Sequence, residues 1–273
     1  MDRKEGAMKV RLTDFGELTA DQGWFFEGAG AATESAQSPQ AFRKNLRMIG
    51  AIIEHPKEGV ILYETGPASN FKELWPEPVQ DVFPITNYSD ENKLDKQLEK
   101  AGYSAKDVSA IVIGHMHLDH AGGLELFRGT EVPIYVHEIE LKYAFYAVAT
   151  KRDFGAYIPH YIDPSFNWKP VHGPEAELFD GITVYHTPGH TPRLISMKVE
   201  TKNANPFVFT SDLCFFKEHY YDENPPGWLI RDMNAWWESL SKVKTIANRC
   251  NANVIPGHDP DVLAQYTKEA FYD

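Results

Sequence analysis

The stretch Ala110-Ile111-Val112-Ile113-Gly114-His115-Met116-His117-Leu118-Asp119-His120-Ala121-Gly122-Gly123 decides how this chain is read. Ala110–Ile113 is a short, β-branched apolar run, which predicts a buried strand. Directly past its end, three imidazoles and one carboxylate fall within six positions. No regular structure turns all four to one point. In an extended chain His115, His117 and Asp119 share a side and His120 does not. On a helix, His115 and His117 are about 200° apart. A tight loop splits the set into two pairs, each reaching a different metal ion. Imidazole nitrogen with carboxylate oxygen suits zinc, iron, manganese or cobalt better than magnesium or calcium. Gly122-Gly123 allows sharp turning before a short helix at Leu124-Glu125-Leu126-Phe127. A strand end followed by a loop is a usual place for a site in an α/β protein.

The same strand-then-turn pattern recurs downstream. His190 lies in Thr187-Pro188-Gly189-His190-Thr191-Pro192, just past a strand ending at His186. There Pro and Gly fix a turn that presents the imidazole outward. Asp212 follows Phe207-Val208-Phe209-Thr210-Ser211, and His258 lies in Ile255-Pro256-Gly257-His258-Asp259. Asp259 competes with its neighbour His258 as a ligand. A single histidine of this kind would say little. The repeated pattern, beside the His115–His120 cluster, makes His190, Asp212 and His258 candidate ligands.

Working outward, strands are expected at Val60–Glu64, Ala110–Ile113, Pro133–His137, Gly181–His186, Leu194–Val199, Pro206–Ser211 and Asn253–Pro256. Helices are expected at Asp90–Ala101, Glu138–Ala149, Asn234–Arg249 and Asp261–Phe271. The first has a Ser89 or Asp90 cap, and the last follows Pro260. Clustered strands with interspersed helices fit a sheet-on-sheet core with helices outside. Residues 20 to 48 show little periodicity and read as a long loop, disordered or functional. Its three adjacent aromatics, Trp24, Phe25 and Phe26, are either a substrate-covering segment or a core strand. Phe145, Tyr146, Tyr157 and Tyr161 form a second aromatic stretch that could line a cleft. Trp236 and Trp237 read as core rather than dimer contact.

The chain has 273 residues, with no repeat, low-complexity tract or evident linker, so one domain over 1–273 is expected, with 1–7 as a loose start. A hydrophobic content of 42% and a charged content of 24% are those of an ordinary globule. The net charge of −12 argues against nucleic acid as the main partner, because phosphate binding needs basic surface. No run of about 18 apolar residues is present, so no membrane span is expected. No apolar segment follows the charges of Met1-Asp2-Arg3-Lys4-Glu5-Gly6, so no signal peptide is expected. The two cysteines, Cys214 and Cys250, suit a reduced cytosol, and a cytoplasmic location without a disulfide is expected.

The H-x-H-x-D-H motif, a distant His after Pro-Gly, an Asp after Ser and a His after Gly together resemble the metallo-β-lactamase superfamily. The resemblance runs from about residue 8 to 270. It implies an αββα sandwich: two mixed β-sheets flanked by helices, an α/β fold of the α+β type. It also implies a two-metal site at one sheet edge. By position, His115, His117 and His190 would hold one ion. Asp119, His120 and His258 would hold the other, and Asp212 would bridge. Leu62-Tyr63-Glu64-Thr65-Gly66 looks like the superfamily's early strand-end motif, with Glu64 where Asp is usual. Glu64 is expected to orient a ligand from behind. The two cofactors are expected to be divalent ions, zinc foremost, with cobalt, manganese or iron as alternatives.

Within the superfamily the chain is most similar to the N-acyl-homoserine lactonases, the quorum-quenching enzymes. The residues carrying this are Gly114 to Phe127, Ile134-Tyr135-Val136-His137-Glu138, Gly155-Ala156-Tyr157-Ile158 and Gly257-His258-Asp259. The resemblance implies hydrolysis of a lactone ring by hydroxide held at the metal pair, with Asp119 as catalytic proton carrier. Trp24, Phe25, Phe26, Tyr157, Phe215 and Tyr220 are candidate substrate contacts. One departure stands out: such lactonases often carry Tyr three residues after the bridging Asp, where this chain has Phe215. Tyr220 or Tyr221 would then supply the hydroxyl, or the metals alone would polarise the carbonyl. The rival readings are a glyoxalase II-like esterase or thioesterase, a phosphodiesterase, an iron redox enzyme and a non-catalytic metal-binding module. The expected partner is a small lactone or ester, and the expected state is monomer or homodimer.

Overall fold

The structure, a computed structural model, describes residues 7–153 and 155–273. The loose start expected at 1–7 therefore falls, apart from Ala7, outside the described residues.

Two strands, β1 (Lys9–Asp21) and β2 (Arg43–His55), open the chain and pair antiparallel from Lys9↔Glu54 to Asp21↔Arg43. Sequence reading foresaw neither. In β2, Leu46, Met48 and Ile52 face one apolar layer while Ile49, Ala51 and Ile53 face another. A strand covered on both faces lacks the apolar–polar alternation that betrays a half-buried one. In β1, a register shift between Asp14 and Glu17 breaks the period.

Next come β3 (Gly59–Tyr63), β4 (Ile85–Asn87), β5 (Val108–Val112), β6 (Pro133–His137) and β7 (Asn167–Val171). With the first two they form one sheet in the order β4-β1-β2-β3-β5-β6-β7, parallel from β3 to β7. The second sheet contains β8 (Glu175–Phe179), β9 (Ile182–His186), β10 (Ile195–Val199), β11 (Phe207–Ser211) and β12 (Asn253–Pro256). Its order is β12-β11-β10-β9-β8, and only β11 and β12 run parallel.

Three apolar layers show how the elements stack. Between the sheets, Val10, Ile53, Ile61 and Val112 meet Val184, Met197, Phe209 and Ile255. Outside the larger sheet, Leu62, Ile111 and Val136 pack with helix residues that include Leu94 and Leu98 of α3 (Leu94–Lys100) and Ala144 of α4 (Glu138–Thr150), both numbered after the short α1 (Phe71–Leu74) and α2 (Glu77–Val82). Outside the smaller sheet, Val208 and Val254 pack against Trp236, Leu240 and Val243 of α6 (Met233–Cys250), which follows the short α5 (Lys217–Tyr221). The result is the αββα sandwich of two mixed sheets.

Helix ends follow local chemistry. The helix expected over Asp90–Ala101 opens as a 3-10 turn, Asp90–Asn92, capped by Ser89, and extended Lys93 separates it from α3. The Asp232 carboxylate accepts from Ala235 N to start α6, and left-handed Asn251 ends it. The last helix, α7 (Pro260–Tyr266), stops short of the expected Phe271. Trp236 is fully buried and Trp237 is 40% exposed. Both cysteines are free thiols, and burial pushes the Cys214 thiol up to about 12.

Candidate metal centre

Five strands end at one edge of the sandwich. Parallel β3 and β5 deliver Glu64 and His115, and parallel β11 and β12 deliver Asp212 and His258. The turn after β9 delivers His190. This turn is seated by Gly189, where a Cβ would lie 2.8 Å from Trp236 Cα, so only a glycine lets α6 approach so closely. The loop from His115 to His120 is pinned from three sides. Met116 N donates to Glu140 Oε1 (3.1 Å), Tyr161 Oη donates to Met116 O, and Thr65 donates through N and Oγ1 to His120 O (2.8 Å each).

Asp212 stands between two groups of imidazoles. Its Oδ2 lies 3.3 Å from His190 Nε2 and 3.6 Å from His115 Nε2. Its Oδ1 lies 3.0 Å from His258 Nε2 and 3.3 Å from His120 Nε2. His117 Nδ1 closes the first group at 3.0 Å from His190 Nε2. Asp119 Oδ2 closes the second, 3.6 Å from His120 Nε2 and 3.7 Å from His258 Nε2. Two ligands of one tetrahedral zinc, each about 2.0–2.1 Å from the ion, stand about 3.3 Å apart. The observed spacings cluster around that value.

Glu64, the chain's departure from the usual Asp, has a positive φ of 58° and reaches His120 Nδ1 at 3.3 Å. It accepts from Ser211 Oγ (2.9 Å) and Gly114 N (3.2 Å). Gly114 makes room for it, because a Cβ there would lie 2.4 Å from Glu64 Oε1. Three other ring nitrogens are also anchored: His115 Nδ1 on Ser211 Oγ (3.1 Å), His190 Nδ1 on Leu229 O (2.9 Å) and His258 Nδ1 on Arg47 O (3.0 Å). Such outer contacts fix which nitrogen is left to face a metal. Asp259, the competitor of His258, is engaged elsewhere: its carboxylate caps α7 at Asp261 N and Val262 N and accepts from Lys217 N.

The cluster's electrostatics call for cations. Burial holds the His115 and His117 pKa values well below the usual imidazole range, and takes His190 down to about 3. Burial also opposes charge on His120, but Asp212, Asp119 and Glu64 outweigh it and raise its pKa. Burial likewise opposes ionisation of Asp212, which His258, His120 and His115 nevertheless hold well below the usual carboxylate range. The carboxylates thus draw positive charge into a buried place. His115 Nε2, His120 Nε2 and Asp212 Oδ1, all at the cluster, are buried with no hydrogen-bond partner among the described residues. Buried polar atoms left this way are costly unless an ion takes them. The donor set therefore fits two metal ions, with the ligand groupings His115/His117/His190/Asp212 and Asp119/His120/His258.

A cleft opens over the cluster. Its wall includes Leu18, Phe25, Leu46, Trp75, Val79, Phe83 and Phe215, with Asp119, Asp212, His117, His190 and His258 at its base. Phe215 stacks on His258 (5.8 Å between ring centres) and meets His190 edge-on (5.2 Å). Of the sequence-predicted contacts, only Phe25 and Phe215 line this cleft. Trp24 packs on Phe83 and Trp228 behind the wall, and Phe26 stacks on Phe216 and His219. Tyr157 is buried behind His117, its hydroxyl donating to Glu140 Oε1 (2.9 Å). Tyr220 belongs to the layer under α6, and Tyr221 is 65% exposed. Trp24, Phe26, Tyr157 and Tyr220 thus depart from expectation, because each ring is taken up by packing away from the cleft. Sequence reading missed Ser211, Glu140 and Arg231. Glu140 lies in a helix whose polar and apolar residues are poorly segregated, so no pattern marked it.

The profile of the Metallo-beta-lactamase superfamily matches residues 51–258, and the chain belongs to that superfamily. Among curated relatives, the N-acyl homoserine lactonase AttM of Rhizobium radiobacter is 32% identical over 181 residues, covering 63% of this chain and 66% of AttM, just under two thirds of its length. An N-acyl homoserine lactonase from a Bacillus species is 30% identical over 206 residues, covering 74% of this chain and 78% of the relative. A solved structure of a B. thuringiensis AiiA variant with N-decanoyl-L-homoserine at its active site superposes with a TM-score of 0.77 at 25% identity, covering 94% of this chain and 95% of that one. An N-acyl homoserine lactone hydrolase with N-hexanoyl-L-homoserine at its catalytic metal centre gives the same TM-score and coverage at 26% identity.

Proposed function

We propose that this chain is a two-metal hydrolase that opens the ring of N-acyl-homoserine lactones or a closely related lactone. The observation that carries the reading is Asp212, whose two oxygens serve two separate imidazole groups at the base of an apolar cleft. The relatives' names and their bound products support the choice of lactone. His115, His117 and His190 would hold one ion, Asp119, His120 and His258 the other, and Asp212 both. Zinc suits this set, and cobalt, manganese and iron tolerate it. When bound, such a pair supplies Lewis acidity and a lowered water pKa.

The protein's own groups do the rest. The apolar wall takes the acyl chain, at about 0.8 kcal/mol per buried methylene. A water oxygen adds to the lactone carbonyl carbon and the ring C–O bond breaks. Asp119, on the cleft side of the cluster, takes the proton from the attacking water and returns it to the leaving alkoxide. Lactone and water thus give one hydroxy acid, with no other reactant. No hydroxyl stands at Phe215, and neither Tyr220 nor Tyr221 lines the cleft to replace it. The test is ring-opening of short- and long-chain N-acyl-homoserine lactones by metal-quantified protein. Turnover with about two ions per chain supports the reading. No turnover at full metal loading overturns the choice of substrate.

A further inference from the structure

Arg231 is a polar side chain on the cleft wall that belongs to neither ligand group. It is fixed in place. Its Nη1 donates to His190 O (2.7 Å), and its Nε and Nη2 each lie 3.3 Å from Asp153 Oδ1. Asp153 is itself held in a left-handed conformation (φ 52°), and its Oδ2 accepts from Tyr143 Oη (2.7 Å). These contacts leave an N–H on each terminal nitrogen of the guanidinium without a protein acceptor among the described residues. The Asp153 carboxylate balances the charge, so the free N–H groups suit a neutral acceptor better than a second anion. The surrounding wall is apolar, and a substrate carbonyl buried there unpaired would lose its water without compensation.

We propose that Arg231 is a specificity-determining residue that donates to the amide carbonyl beside the lactone ring, so the site selects lactones bearing an acylamino group over plain alkyl lactones. This rests on the lactonase reading. Another donor on the wall is the Trp75 indole, whose Nε1 is buried and without an acceptor among the described residues.

The experiment compares kcat/KM for N-octanoyl-L-homoserine lactone and for an α-alkyl-γ-butyrolactone of equal length, in which methylenes replace the amide. Wild type, Arg231→Met, Arg231→Lys and Trp75→Phe are used, each checked for metal content. Arg231→Met is expected to lose about 10- to 100-fold on the amide substrate, the range for a hydrogen bond to a charged group, mostly in KM. It is expected to lose less than about threefold on the alkyl lactone, where no such bond forms. Arg231→Lys should recover part of the preference. Equal losses on both substrates would assign Arg231 a merely structural role at His190. Unchanged discrimination, or its loss in Trp75→Phe instead, would also overturn the proposal. If wild type opens neither substrate, the lactonase reading falls with it. If it opens both equally, that reading stands and the selectivity proposal fails.

Discussion

Glu64 Oε1 stands 3.3 Å from His120 Nδ1, and the same carboxyl accepts from Ser211 Oγ, which in turn meets His115 Nδ1. One buried side chain therefore steadies a candidate ligand in each half of the cluster. A longer arm than the usual Asp works here because Gly114 leaves the space for it.

Glu64→Ala should weaken metal binding about 10- to 100-fold, as loss of a ligand-orienting partner commonly does. Glu64→Asp should fall between that variant and wild type. Gly114→Ala should resemble Glu64→Ala, because the added methyl would overlap Glu64 Oε1. Competition with a chelator of known affinity measures all three. Wild-type affinity in Gly114→Ala would refute the account of Glu64.

Asp119→Asn should lower kcat by about 10²–10⁴-fold, the usual scale of a lost proton carrier, with a smaller change in KM. Asp212→Asn should instead reduce the number of ions bound per chain, since one of its two oxygens becomes an amide. Steady-state kinetics beside elemental analysis separates the two effects. An unchanged kcat in Asp119→Asn removes that residue from the chemistry.

Stripping the metals should lower the melting temperature, and reloading should restore it. Ions that bind only the folded state stabilise it by about 4 kcal/mol per site at a free concentration 1,000-fold above Kd. Calorimetry with and without chelator tests this, and a melting temperature indifferent to metal would count against the cluster as a metal site.

His186 gives a pH dependence away from the cluster. Burial, with Arg193 and the stacked His137 nearby, lowers its pKa from 6.5 to about 4. Below pH 6.5 the unfolded chain gains a proton there that the folded chain refuses, so stability falls as pH drops from 6.5 toward 4 and levels off below. His186→Gln should flatten that part of the curve in urea unfolding at stepped pH. An identical slope in the variant would show that His186 does not titrate in this way.

The candidate metal cluster is legible in the sequence because its residues are few, chemically distinctive and placed at strand ends that single-sequence patterns detect. Ala110–Ile113 followed by His115 is a local signal, as is Phe207–Ser211 followed by Asp212. What stayed hidden depends on distant partners. The β2 strand shows no alternation because both its faces are covered. His258 Nδ1 is held by Arg47 O, a backbone atom 211 residues away that no side-chain motif can announce. Trp24 and Phe25 are adjacent, yet only the second reaches the cleft, and the difference lies in a single 3-10 turn at Gln22–Trp24. Glu64 was visible as an expected ligand support, but whether its extra methylene would fit depended on Gly114, fifty residues on in the chain.

The candidate ligands come from both sheets, and their order in the chain runs from the turn after β5 to the turn after β12. Neither half of the sandwich holds a complete set. Chain synthesis must pass residue 212 before the first grouping is complete and residue 258 before the second is. A chain that stops short of His258, or whose sheets are half-docked, would lack at least one full set, and in the finished chain a bound pair would act as a clasp across the seam between the two sheets.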